Sequence, residues 1–504
     1  MVDPTEARTT PEFVRALASS YRELPAVVTE HETLTYAELD RRSALRARGL
    51  LARGVGKGTR VGFLFGNGPE WVITWAAIAR MGAVPVPLST FLKPPELARV
   101  VRHADLQGVF AQSAFLAQDY LTAFTDAFPA LAHASGPPLR MAAAPHLRWI
   151  ALTGDTVPRW ARSLEWIDEA AVECDDDMLR SAEAEVHPDD PGMMIYTSGQ
   201  SAAPKGVVHS HGTVMNKVHY LRYMLEFGPG SQNTATMPFF WVGGLVMTLF
   251  TTMEAGGVVV CSDGATRMGG VFGSGGKGPT EEMKERQSVR LVIGLGMTET
   301  FGMYSWGNEP PDPSRSQWCP RLTDFEAGYD VKVVDEAGTR VLDGERGEIA
   351  LRGPTLMLGL HKVDRSVVFD ADGYYRTGDL VEVDGDGFHF VGRKGDMIKT
   401  SGANVSPAEV EAELMAIDGI ASAFVVGVDD DRRGQVVGAA VVPEADVILD
   451  RDEVLATLRG RLSTYKVPRL LVFLGIDDVP QLPSLKVQKP ELARMIRARA
   501  EDRG

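Results

Sequence analysis

The sequence predicts an α/β protein: a large N-terminal domain of parallel-rich β-sheets covered by helices, a small β-rich subdomain, and a small α+β C-terminal domain. Three observations predict it. The first third of the chain alternates helix and strand signals, the stretch from Asp330 to Gly392 turns to short strands with tight turns, and a compact α+β pattern begins near Arg393. A chain of 504 residues is too long for one core, so two or more domains are expected, divided here as 1–393 and 394–504.

Thr35 and Glu38 in TYAE form a capping box that opens a helix running to about Arg53. VGFLFG (61–66) reads as a buried strand, PEWVITWAAIARMG (69–82) as a helix with Pro69 near its start, and AVPVPL (83–88) as the next strand. GVGKGT (54–59) lacks the spacing of a Walker loop and reads as a helix-to-strand turn. The segment 115–190 is less regular. GMMIYTS (192–198) is a strand running into a loop, and the apolar run 242–260, broken by Glu254 and several glycines, reads as buried core rather than a membrane span. Asp384-Gly385 and Asp386-Gly387, between EV and FHFVG, mark a hairpin. Ser406 and Pro407 open a helix, ASAFVVGV (421–428) and QVVGAAVV (435–442) flank a polar turn, and a helix near 451–463 and a strand at 470–475 complete the last unit.

A formal charge of −15 argues against nucleic acid or anionic membrane as the main partner. Three scattered cysteines, Cys174, Cys261 and Cys319, form neither a disulfide framework nor a zinc pattern and fit a reducing cytoplasm. No stretch at the N-terminus has the apolar character of a signal peptide, so a cytoplasmic protein without stable membrane insertion is expected. No pattern encodes an oligomeric state.

Chemistry enters at Thr197-Ser198-Gly199-Gln200-Ser201-Ala202-Ala203-Pro204-Lys205-Gly206, after the strand ending at Tyr196. Small residues let backbone N–H groups approach phosphate oxygens, hydroxyls add donors and Lys205 adds charge. Taken alone, the loop reads equally well as a surface turn. Four further stretches bear on it: GLGMTETFG (294–302), YYRTGDL (374–380), GRKGDMIKTSGANVSPAEVE (392–411) and PQLPSLK (480–486). His209 and His211 form an H-x-H pair with no third metal ligand nearby in sequence, so structural hydrogen bonding is expected of them.

In this order and spacing the five motifs resemble the adenylate-forming (AMP-binding) superfamily of acyl-CoA synthetases, carrier-protein adenylation domains and luciferases. The resemblance covers nearly the whole chain, and TYAEL, VGKGTRVGFLFGNGPEW, GAVPVPL and STYKVPR (463–469) add to it. It implies ATP-dependent activation of a fatty or aryl carboxylic acid to an acyl-adenylate, then transfer to coenzyme A, or alternatively to a carrier protein, with Mg²⁺ as cofactor.

The resemblance assigns roles. Thr197, Ser198, Gly199, Gln200, Ser201 and Lys205 would hold the β- and γ-phosphates, Thr298 the α-phosphate and Glu299 the Mg²⁺. Asp379 and Arg393 would bind the ribose, and Gly275 and Gly276 would line the adenine. Lys486 would bridge carboxylate and α-phosphate as charge develops, with Lys489 a competing assignment. The small domain is expected to be mobile about Gly395, bringing Lys399, Ser401 and Gly402 to a thioester face where Lys466 and Arg469 meet coenzyme A phosphates. Phe240, Trp241 and Gly244 in PFFWVGGL would line the acyl pocket.

Four departures qualify this pattern. Gln200 and Ala202 replace a hydroxyl residue and a glycine, Leu295 stands where an aromatic usually stacks on adenine, and Gly395 occupies a hinge position usually Asp or Lys. The stretch between GGVVVCSDG (256–264) and FGSGGKGP (272–279) is several dozen residues shorter than in relatives, so part of the acyl wall is expected to be rebuilt, and a catalytically impaired nucleotide-binding relative is the alternative.

Overall fold

The computed structural model describes residues 3–116, 118–154, 156–197, 205–225, 227–261, 294–307, 321–394, 398–400, 403–405, 407–430, 432–462, 466–481 and 487–501. The chain divides into two compact units: 1–269 with 296–304 and 353–368, and 270–295 with 305–352 and 369–504.

The first unit is built on a five-stranded, wholly parallel sheet in the order Val84–Pro87, Arg60–Leu64, Gly108–Gln112, Trp149–Thr153, Arg162–Ser163. Apart from Arg162–Ser163, its strands are rich in buried apolar residues because helices cover the sheet. The helix Pro69–Ala79 buries every residue but Glu70. It is three residues shorter than the sequence suggests, and the chain turns away at Gly82 (φ +76°). The helix Tyr36–Ala52 opens on the expected reciprocal cap: Thr35 accepts from the Glu38 amide, and the Glu38 carboxylate accepts from the Thr35 amide. Lys57 in the GVGKGT turn pairs with Asp190 and donates to the Glu185 carbonyl, a structural use.

A second sheet runs Gln232–Thr234, Val258–Val260, Pro25–Val28, Thr33–Thr35, parallel except at its last pair. The apolar run feeding it forms a buried helix, Gly243–Phe250, with wide π-type hydrogen bonding. Thr251 closes this helix, its amide and hydroxyl both bonded to the Val246 carbonyl. Among the described residues no helix is long and apolar enough to cross a membrane. Cys174 and Cys261 are buried.

Two larger sheets lie in the second unit. One is an antiparallel meander, Asp330–Val334, Arg346–Arg352, Tyr375–Asp384, Gly387–Arg393. Asp384 pairs with Gly387 around the two-residue turn Gly385-Asp386, as the sequence predicts. The other sheet orders Ala403–Val405, Ile398–Thr400, Gly434–Pro443 and Ile420–Asp430, with Leu470–Phe473 parallel to Gly434–Pro443. Alternation along its long hairpin separates two apolar layers. Val425, Val437 and Val441 join Val410, Leu414 and Leu458 on one side, while Val426, Val428 and Val436 join Leu492 and Ile496 on the other.

Candidate active site

The phosphate-loop candidate hangs from a hairpin of the first unit. Strand Pro191–Thr197 pairs antiparallel with Lys205–Ser210, Tyr196 opposite Gly206 and Thr197 opposite Lys205. Ser198, Gly199, Gln200, Ser201 and Ala202 lie outside the described residues. The stem is braced from below. Tyr196 shares a hydrogen bond with His103 Nδ1 (2.7 Å), and Gly206 lies so close to the Tyr196 ring that an added Cβ would stand 3.1 Å from Cζ.

Segment 356–361 runs along the outer strand of this hairpin. Leu358 N–H donates to the Val208 carbonyl and His361 N–H to the Gly206 carbonyl. Met357 N–H, on the same segment, donates to the carbonyl of Glu299 (2.9 Å), which brings the MTET turn to the same place. That turn, Thr298–Thr300, is a single 3₁₀ turn ended by Phe301 in the left-handed region (φ +51°). The Thr300 hydroxyl staples it by donating to the Met297 and Gly302 carbonyls.

His209, one strand position past Val208, joins the two parts. It is fully buried, packs edge-on against Phe301 (4.8 Å between centroids) and directs its ring at the Thr298 backbone without reaching full hydrogen-bond geometry. Burial depresses its pKa to about 3, so the ring is neutral. His211 is structural as expected, its Nδ1 bonded to Thr10, and burial lowers its pKa to about 4. Among the described residues no three His, Cys, Asp or Glu side chains gather as a metal site.

Thr298 and Glu299 are half-buried and Lys205 is exposed. Among the described residues no hydrogen bond or ion pair engages the Lys205 ammonium, the Thr298 hydroxyl or the Glu299 carboxylate. Three polar side chains thus share one braced platform. Lys217, which carries no motif signal in the sequence, anchors the strand Gly302–Trp306 beyond the turn: it is fully buried, with Nζ donating to the Met303 carbonyl (2.6 Å).

PFFWVGGL forms an aromatic group in the same unit. Phe240 is buried and Trp241 half-exposed, and both meet Phe91 (centroids at 5.7 and 6.1 Å). Asn67 clamps the segment from both sides, donating to the Met237 carbonyl and accepting from the Phe239 amide. At Gly244 an added Cβ would stand 2.3 Å from the Pro238 carbonyl oxygen, so only glycine fits.

In the second unit Asp379 is buried and stands opposite Arg393 in the ladder. The backbone of Lys399 lies in strand Ile398–Thr400. Lys466 donates to Glu409 (2.5 Å), which ties down a side chain read from sequence as a coenzyme A contact, while Arg469 is exposed. Gly275, Gly276, Gly395, Ser401, Gly402 and Lys486 lie outside the described residues.

The family model for the AMP-binding enzyme matches residues 14–274 and 270–361, and that for the AMP-binding enzyme C-terminal domain matches 409–486. The two segments of the first match overlap at 270–274. A feruloyl-CoA synthase from Amycolatopsis sp is 29% identical over 92% of this chain and 94% of its own. A 3-hydroxybenzoate--CoA/4-hydroxybenzoate--CoA ligase from Thauera aromatica is 28% identical over 96% of both chains. The crystal structure of the anthranilate CoA ligase AuaEII in complex with anthranoyl-AMP superposes with a TM-score of 0.78 over 97% of each chain at 21% identity, a likeness that bears on the fold alone. Matched by both family models over most of its length, the chain belongs to the AMP-binding enzyme family and is an adenylate-forming, acyl-CoA-synthetase-like ligase.

Proposed function

We propose that the chain activates an aromatic carboxylic acid with ATP and transfers the resulting acyl group to coenzyme A. In the first half-reaction a carboxylate oxygen attacks the α-phosphorus and the bond to pyrophosphate breaks. In the second a thiol sulfur attacks the acyl carbon and AMP leaves. Both transition states gather negative charge on oxygen, which fixed cations and donors stabilise.

The observation that carries the reading is the braced platform on which Lys205, Thr298 and Glu299 present side chains that no other described residue engages. Lys205 and the loop 197–204 hold the outer phosphates, and the Thr298 hydroxyl donates to the α-phosphate. Glu299 offers a hard carboxylate oxygen of the kind that suits Mg²⁺, whose charge would offset that of the triphosphate. Asp379 and Arg393 serve the ribose, Gly275 and Gly276 the adenine, and Lys486 the reacting α-phosphate. Domains divided near residue 393 and pivoting at Gly395 would bring Lys399, Ser401 and Gly402 to the acyl carbon.

The aromatic acid is favoured by two facts. Phe91, Phe240 and Trp241 offer ring faces and edges. Relatives named for ferulate, hydroxybenzoate and indoleacetate align over most of the chain. The test is incubation with ATP, Mg²⁺, coenzyme A and a panel of benzoates, cinnamates, arylacetates and fatty acids, read by mass. Aryl-CoA thioesters are expected. Fatty acyl-CoA alone would overturn the aromatic reading, and adenylate without thioester would redirect the search to a carrier protein's thiol.

A further inference from the structure

The turn bearing Asp379 is held from behind by a carboxylate that belongs to none of the five motifs. Glu348 lies in strand Arg346–Arg352 and is 5% exposed. It sits where the pairing with Tyr375–Asp384 slips: Glu348 stands opposite Leu380, but Ala350 stands opposite Arg376. Thr377, Gly378 and Asp379 therefore face the single residue Ile349, a bulge of the kind that re-aims side chains beside active sites.

The bulge is tied at three points. Thr377 donates its hydroxyl to the Ile349 carbonyl (2.9 Å) and accepts the Asp379 N–H (3.0 Å). Lys394 N–H donates to the Gly378 carbonyl (2.6 Å). Gly378 N–H donates to Glu348 Oε1 (3.0 Å). Gly378 takes φ +76°, open to glycine at no steric cost.

The other oxygen of Glu348 does something a neutral acceptor would not. Oε2 meets Lys394 Nζ at 3.1 Å and Arg376 Nε at 3.3 Å. Arg376 is in turn fixed on the backbone carbonyls of Asp335 and Glu336. One buried carboxylate thus joins the bulge to Lys394, the neighbour of Arg393, through charge-assisted bonds. The two chain positions that flank it, Asp379 and Arg393, are the proposed ribose ligands.

We propose that Glu348 is a positioning residue for the nucleotide: by locking Gly378 and Lys394 it sets the direction in which Asp379 meets the ribose hydroxyls. This rests on the ribose reading of Asp379. Its effect is read in nucleotide selection.

The test compares binding of α,β-methylene-ATP and its 2′,3′-dideoxy counterpart to the full chain by calorimetry. Wild type is expected to prefer the ribose form by on the order of a hundredfold, since a site built for hydroxyls is left with unpaired groups by the deoxy form. Asp379→Asn removes the preference. Glu348→Gln, the same shape without the charge, cuts it about tenfold. Lys394→Met, at a half-exposed position, cuts it as well, and the double variant falls no further than Glu348→Gln alone. A preference lost in Asp379→Asn but intact in both Glu348→Gln and Lys394→Met overturns the role of Glu348. A preference intact in Asp379→Asn overturns the ribose reading instead.

Discussion

Acid should loosen the joint between the phosphate hairpin and the MTET turn, and His209 sets the size of the effect. Its ring is fully buried between Phe301 and the Thr298 backbone, with a folded pKa of about 3 against about 6.5 for a free imidazole. Below pH 6.5 the unfolded chain takes up a proton that the folded chain refuses. The stabilisation is therefore complete above pH 6.5 and is lost as pH falls toward 3. At pH 5 the loss from this one residue is about 2 kcal/mol. His209→Leu removes the titration while keeping an apolar filler against Phe301. The assay is urea unfolding of wild type and variant at pH 7 and pH 5, followed by tryptophan fluorescence. Wild type should lose about 2 kcal/mol more than the variant over that interval. Equal losses would refute the reasoning, because they would mean that His209 is protonated in the folded chain or is exposed.

Three further outcomes rest on named contacts. For His219, burial opposes the charged form, but its bond to the buried Glu254 carboxylate outweighs this and raises the pKa. Its stabilisation is thus present below pH 6.5 and lost as pH rises through the raised value, and Tm should fall more steeply above neutrality in wild type than in His219→Gln. Gly244→Ala pushes a methyl into the Pro238 carbonyl at 2.3 Å and should lower Tm by several degrees, an overpacking cost of about 1–3 kcal/mol; an unchanged Tm would contradict the packing. Trp241→Ala should lower kcat/KM for a bulky aromatic acid by about 10–100-fold and for a small aliphatic acid far less, as expected when a pocket wall is removed; equal losses would detach Trp241 from the acid.

Much of the fold is legible in the sequence because local chemistry and tertiary structure agree. The Thr35–Glu38 box, the Gly385-Asp386 turn and the two-sided alternation of 420–443 each specify their geometry within a few residues. The platform residues are legible for another reason: Lys205, Thr298 and Glu299 sit in motifs whose order resembles a family. The hidden features depend on long-range packing or register. Phe91 follows no motif and meets Phe240 from about 150 positions away. Lys217 reads as an ordinary helix lysine until Met303 folds over it. Glu348 looks like one more strand glutamate, because a register slip leaves no mark on the alternation that predicts the strand. The wide hydrogen bonding of Gly243–Phe250 is equally silent, since an apolar run fits either kind of helix.

The most direct measurement is ATP–pyrophosphate exchange driven by aromatic acids, in wild type and in Lys205→Ala. The account predicts acid-dependent exchange in wild type and a fall of roughly 10² or more in the variant, since a cation that meets developing phosphate charge is removed. Wild-type rates preserved in the variant, or no exchange with any acid, would contradict the claim that this platform forms an acyl-adenylate.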